Sequence, residues 1–182
     1  KPWDRRGGFL SLNPAGQTPV LEDVEQGVVL SDSSAIVEYL EETTYDHALI
    51  GSSAEERAEA RRMAGWFDQK FYDDVSRYLI EEWYWKRFIS KASVNSATVR
   101  AALYNVRGHM DYIAYLTDRR RWLGGDYFSI ADVSAAAQLS VIDYLGGIDW
   151  DSFPLAKDYY VRLKSRPSMR PILADRVDGL LK

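Results

Sequence analysis

Two short stretches place residues with binding chemistry at the starts of apolar runs. In Gln17-Thr18-Pro19, a proline heads a run that reads as a strand. It removes one amide donor, and an X–Pro bond is the one kind that reaches cis without a large penalty. In cis, such a turn leaves the N–H and C=O of Thr18 facing outward, where an extended peptide can pair with them. In trans, Pro19 is an ordinary strand-edge residue, and the residues alone leave both readings open. Asp32-Ser33 follows 13 to 14 residues on and precedes a helical apolar pattern. A helix start carries unpaired amides and a partial positive charge that suit a carboxylate, the Ser hydroxyl adds a donor, and the Asp can accept from an ammonium. A group with the zwitterionic α-amino-acid pattern fits there. The same two residues also read simply as an N-cap.

Other candidates are weaker in chemistry. The aromatic band of Trp66, Phe67, Phe71, Tyr72, Tyr78, Trp83, Tyr84, Trp85 and Phe88 reads as either the lining of a co-substrate pocket or an interaction surface, with Phe67 and Phe71 on an inward stripe. Glu81 to Phe88 mixes large aromatics with charges, the profile of an interaction surface. Arg119-Arg120-Arg121 reads as a solvated helix end. His47 and His109 have no companions at metal-ligand spacing, so polar or capping roles are expected and no metal is. Cysteine is absent, which excludes disulfides, thiolate metal clusters and a cysteine nucleophile in these residues.

These stretches need elements to hold them. Thr18 to Leu21 and Val28 to Leu30 read as a hairpin, with turn chemistry at Asn13-Pro14-Ala15-Gly16 before it, and a helix follows from Ser31-Asp32-Ser33-Ser34 through Glu42. Two strands alone are marginal in water, and no later segment supplies partners, so a strand-helix-strand element is expected ahead of Lys1. Residues 43–53 read as a linker. A capping box at Ser53 to Glu56 opens a helix of about 25 residues, whose inward stripe is Ala60, Met63, Phe67, Phe71, Val75 and Tyr78. A second helix starts near Ser96 and closes near Arg119. A third, from Ser129-Ile130-Ala131-Asp132, is apolar on nearly all sides and belongs at the centre of a bundle. Pro154 to Arg166 and Ser168 to Arg176 read as two short amphipathic helices.

The 182 residues suffice for one ordinary domain, or a small one beside part of another. With 46% hydrophobic and 27% charged residues, wholesale disorder is excluded. No apolar run reaches membrane-spanning length and no secretory leader is seen, so the cytoplasm is expected and a membrane partner is not. Residues 1–50 carry three Lys/Arg against nine Asp/Glu, whereas the remainder carries twenty against eighteen, an asymmetry that suggests two units. The net charge of -4 argues against nucleic acid as a partner.

Taken in order, Asn13 to Leu21, Leu30 to Leu40, Trp122 to Asp126 and Ser129 to Val133 resemble the glutathione S-transferase family of the cytosolic type over essentially the whole chain. The resemblance implies an α/β plus all-α fold. Residues 1–46 would be the second half of a thioredoxin-like glutathione-binding domain, its first strand-helix-strand missing, and 54–182 an all-helical domain. It further implies that Thr18, held by a cis Pro19, pairs with the cysteinyl part of glutathione, that Asp32 and Ser33 bind the γ-glutamyl end, and that Gln17 assists. Ser129 and Asp132 would form an N-capping box that serves folding. The family's activating Tyr, Ser or Cys comes from the first strand, so no catalytic residue is assigned. A homodimer and a small electrophile complete the implication, the thioredoxin-like unit of one subunit meeting the first two long helices of the other. More narrowly, Lys1 to Arg6, Trp66 to Phe71, Tyr144 to Gly146 and Lys164 to Pro171 are similar to an alphaproteobacterial branch that includes a division protein binding the GTPase FtsZ. That resemblance implies a non-catalytic alternative with FtsZ as partner.

Overall fold

The computed structural model describes residues 7–44 and 49–177; His47 and the run Lys1 to Arg6 lie outside them. The chain divides between residues 48 and 49 into two compact units.

In the first unit a short helix, α1 (Gly7–Leu12), which the sequence pattern did not suggest, leads into an antiparallel pair, β1 (Val20–Asp23) and β2 (Val28–Ser31). Val20 faces Ser31 and Asp23 faces Val28. Helix α2 (Ser33–Thr43) follows directly, and its Tyr39 hydroxyl donates to Asp23 Oδ2 at 2.7 Å, tying it back to the hairpin.

The second unit is helical. A continuous rod runs through α3 (Ala54–Gly65), a π-wound stretch (Trp66–Ser76), α4 (Arg77–Leu79) and a second π-wound stretch (Ile80–Ser90). The Ser53–Glu56 capping box opens it. The rod extends well past the expected length, and the reason lies in its stripe. Met63, Phe67, Phe71, Val75 and Leu79 are all fully buried at a strict spacing of four. In an ideal α-helix four residues overshoot one turn by about 40°, so such a stripe would wind away from the core. Hydrogen bonds of i to i+5 type take more residues per turn and cancel the drift. The same underwinding carries Leu79 inward and leaves Tyr78, expected on the buried face, exposed.

Helix α5 (Ser96–Thr117) is capped by Asn95, whose Oδ1 accepts from the amides of Ala97 and Thr98. Beyond its end, Arg119 lies 3.9 Å over the Tyr115 ring one turn back and Arg120 pairs with Glu59 of α3 at 2.7 Å, so these cations pack on the helix end and tie it to α3 rather than only being solvated. Helix α6 (Ile130–Tyr144) buries Ala131, Ala135, Ala136, Leu139 and Ile142 but leaves Val133 and Val141 exposed, so it is not covered on every side. Helices α7 (Pro154–Lys164) and α8 (Arg170–Ala174) are each preceded by a 3-10 turn.

Two polar knots sit inside this core. At the start of α6 the fully buried Asp132 carboxylate accepts from Leu123 N–H at 3.0 Å and the Tyr159 hydroxyl at 2.8 Å on Oδ1, and from the Ser129 amide and hydroxyl on Oδ2. Burial pushes this carboxyl above its ordinary value while those bonds pull it back. Gly124 makes the close approach possible, since a Cβ there would stand 2.5 Å from Ser129 Oγ. Between the rod and α5, buried His109 accepts from Trp66 Nε1 at 3.1 Å through Nδ1, and its Nε2 lies 3.3 Å from Asp74 Oδ2, which also pairs with Lys70. Burial lowers the imidazole below its ordinary value; Asp74 opposes this and Lys70 adds to it.

Asp132→Ala strands four donors inside the core, and we expect a loss of about 3 kcal/mol or more in urea unfolding. A wild-type midpoint in the variant would refute this account. For His109, the unfolded chain takes up a proton near the ordinary imidazole value while the folded chain resists it. Stability is therefore lost as pH falls below that value toward the lowered one. Unfolding free energies measured from pH 7 down to 5 should fall more steeply in the wild type than in His109→Gln; parallel curves would contradict the assignment.

Candidate functional site

In the first unit the loop between α1 and β1 is fixed by one buried side chain. Asn13 donates through Nδ2 to the Gln17 carbonyl at 2.7 Å and accepts from the Ala15 amide through Oδ1 at 3.1 Å. Its backbone continues the tether, its N–H bonding to Phe9 C=O and its C=O to Gly16 N–H. Gly16 takes φ +68°, a value that favours glycine. The Thr18–Pro19 bond is cis. Thr18 comes just before the ladder begins at Val20, and neither its N–H nor its C=O has a partner among the described residues.

At the same end of the ladder, opposite Val20, Ser31 passes into Asp32, the N-cap of α2, at φ +84°. Asp32 Oδ1 accepts from the amides of Ser34 at 2.9 Å and Ala35 at 3.1 Å. The Asp32 carbonyl takes the Ile36 amide. Of the first-turn donors this leaves the Ser33 N–H and hydroxyl without a partner among the described residues, and Oδ2 of Asp32 likewise. These groups line one concavity of about 870 Å³, formed by Phe9, Asn13, the stretch from Ala15 to Pro19, and Ser31 to Ser33.

Gln17, Thr18, Pro19, Asp32 and Ser33 are thus brought together. Phe9 and Asn13 were not nominated from sequence. Asn13 stood within a recognised turn motif, but its grip on Gln17 is a tertiary fact. Asp32 is the only ionisable side chain lining the concavity among the described residues, and no Lys or Arg occurs between residues 7 and 44. What this wall offers is a pair of backbone groups for an extended peptide, an amide-and-hydroxyl cradle for a carboxylate, and one carboxylate oxygen for a cation.

Trp66, Tyr72, Trp83 and Trp85 are not gathered in this way. Trp66 packs against Tyr112, with ring centroids 4.6 Å apart, and binds His109. Tyr72 and Trp85 are exposed, and Trp83 lines a basic concavity with Lys86 and Arg87. A separate, mostly apolar concavity of about 530 Å³ is built by Ile80, Tyr84, Val141, Tyr144, Leu145 and Ile172 among others, with Asp143 and Lys164 at its polar edge. Of the aromatic band it is Tyr84, with Ile80 four residues before it, that lines this hollow, and not Trp83 or Trp85. Ser129 and Asp132 lie fully buried in the α6 knot. No group of three or more His, Cys, Asp or Glu among the described residues is arranged to hold a metal ion.

Comparison with known proteins places this geometry. Residues 1–43 match the family model for the glutathione S-transferase N-terminal domain. The FtsZ-localized protein A of Caulobacter vibrioides is 44% identical over 180 residues, covering 98% of this chain and 79% of that one. Among solved structures, a glutathione S-transferase from Rhodospirillum rubrum F11 superposes with a TM-score of 0.91 at 44% identity, covering all of this chain and 81% of the other. FzlA from C. crescentus gives 0.88 at 43% identity, covering 99% and 80%.

Asp32→Ala removes the cap and puts an ordinary residue at positive φ, so α2 should loosen by about 1 kcal/mol or more. Asp32→Asn keeps the acceptor and tolerates the backbone. Amide exchange at Ser34 and Ala35 should therefore rise roughly tenfold in the Ala variant and little in the Asn variant; equal exchange in both would remove the cap from the account.

Proposed function

Because the chain belongs to the glutathione S-transferase family, we propose that it binds glutathione along the Thr18 edge of the first unit and at the start of α2. The observation that carries this reading is the set of unpaired groups on one wall. Thr18 N–H and C=O suit the backbone of the cysteinyl residue. The Ser33 N–H and hydroxyl suit the γ-glutamyl carboxylate, aided by the helix dipole. Asp32 Oδ2 suits the neighbouring ammonium while Oδ1 remains on the Ser34 and Ala35 amides. Gln17, held by Asn13, lies beside them.

If the bound thiol reacts, it loses its proton to solvent and the thiolate sulfur attacks an electrophilic carbon, forming a C–S bond as the leaving group departs with its electron pair. The described residues bind and orient the peptide part in that step, and none of them is assigned to lower the thiol pKa. The hollow beside Ile80 and Tyr84 in the second unit suits a small apolar molecule. A homodimer agrees with the family resemblance, and the exposed Tyr104 and Tyr115 on α5 offer the aromatic contacts such an interface uses. A cytoplasmic setting fits the same reading; no helix among the described residues is long and apolar enough to cross a membrane.

A second reading is favoured by one finding, the 44% identity over 98% of the chain to a protein named for its localisation with FtsZ. On that reading the same fold serves as a scaffold that binds FtsZ without turnover.

Calorimetric titration with reduced glutathione should show binding, and Ser33→Ala should weaken it about tenfold through loss of a charge-assisted bond. No heat and no retention on immobilised glutathione would defeat the first reading. Co-sedimentation with FtsZ polymers, together with no conjugation of a chlorodinitrobenzene, would establish the scaffold.

A further inference from the structure

At its far end the helical rod stops in a built turn. The π-wound stretch closes at Ser90, Lys91 takes φ +52°, and the amides of Lys91 and Ala92 both return to the Lys86 carbonyl. The loop that follows is pinned by Glu82, only 4% exposed, whose Oε1 takes the Lys86 ammonium at 2.8 Å and whose Oε2 takes the Asn95 amide at 2.7 Å. The Lys86 ammonium holds this carboxyl below its ordinary range, so it stays ionised and the loop stays held.

That pinning has an electrostatic result. Glu82 cancels Lys86, while Arg87 and Lys91 have no carboxylate partner among the described residues; Arg87 lies 5.5 Å over the Phe88 ring. They stand on a shallow concavity of about 600 Å³ with Trp83 and Val94 in its wall. Trp85, Ile89 and Val94 are exposed nearby. Cations at a helix C-terminus are favoured by the dipole alone. The dipole does not account for a tryptophan-walled hollow beside them or for the exposed apolar side chains around it. Trp and Arg together are the residue types that anchor interfaces.

We propose that this surface docks a partner protein through an extended acidic segment in which carboxylates flank an apolar side chain. The carboxylates meet Arg87 and Lys91, and the apolar side chain packs on Trp83 and Val94. The chain's net charge of -4 gives it no general attraction for anions, so the docking is local to this turn. Because Glu82 fixes the loop beforehand, little ordering cost is added on binding. The inference does not depend on glutathione binding, which belongs to the other unit.

The test is fluorescence anisotropy on the full chain with three labelled ten-residue peptides: Asp/Glu interleaved with Phe and Leu, the same with Ser for the apolar residues, and the same with Lys for the acids. The acidic apolar peptide should bind, the Lys peptide should not, and the Ser peptide should bind several-fold more weakly. Arg87→Glu and Lys91→Glu should each weaken binding about fivefold or more. Arg170→Glu, an equal charge change at an exposed residue of α8, should leave it unchanged, and all three variants should melt as the wild type does. Raising salt from about 50 to about 300 mM should weaken the complex. Equal loss in Arg170→Glu, no binding of the acidic apolar peptide, or polyphosphate or single-stranded DNA binding as tightly as that peptide would each overturn the proposal.

Discussion

A carboxylate that has left water must be given donors, and the helical unit is arranged around one that has received four. Asp132 draws the turn at Leu123, the first residue of its own helix cap at Ser129, and Tyr159 of α7 onto two oxygen atoms. Each donor would otherwise be left as an unpaired buried polar group, so the same carboxylate satisfies two backbone amides and two hydroxyls at once. Ile130, next to the cap, donates its amide to the Leu49 carbonyl, so the segment entering this unit is anchored at the same point. Tyr159 keeps its proton because burial and the facing carboxylate both raise its pKa far above the ordinary phenol range. A donor that cannot ionise is what Asp132 requires there.

The other aspartate at a helix start, Asp32, shows how burial decides between structure and binding. Both cap a helix that follows a turn, and both accept from backbone amides. Asp132 is enclosed and has its oxygens filled. Asp32 is exposed, uses one oxygen on Ser34 and Ala35, and faces a hollow next to an unpaired Ser33. A saturated cap can only hold its helix, whereas a half-used one beside free donors can also take a ligand. This difference, and not residue identity, separates the folding device from the candidate site.

It also explains what could be read from the sequence. The hairpin, the α2 start and the Ser53 and Ser129 caps were legible because each is encoded within a few residues by turn, cap and alternation chemistry, whereas the roles of Thr18-Pro19 and Asp32-Ser33 as one site came only with the family resemblance. Helix α1 was not, since six residues with two glycines carry no periodic signal. The π winding was half visible: a strict four-residue stripe was present, but a 3.6-residue template bent it to end on Tyr78. His109 carried no local clue to its partners, which sit 43 residues away at Trp66 and 35 away at Asp74.

Charge is divided so that the two proposed surfaces would favour opposite ligands. Residues 7–44 hold seven Asp or Glu and no Lys or Arg, so a carboxylate captured by Ser33 is held by oriented amides and a helix dipole against an unfavourable background of like charge. Only a ligand that brings its own ammonium next to that carboxylate escapes the repulsion, since Asp32 then turns from an obstacle into a partner. The turn at Arg87 and Lys91 has the reverse bias: it rewards carboxylates and gives nothing to an ammonium. A zwitterionic head group therefore has no reason to occupy the basic turn, nor an acidic segment the Asp32 wall. With screening acting over about 8 Å at physiological salt, each surface is governed by its own nearest charges.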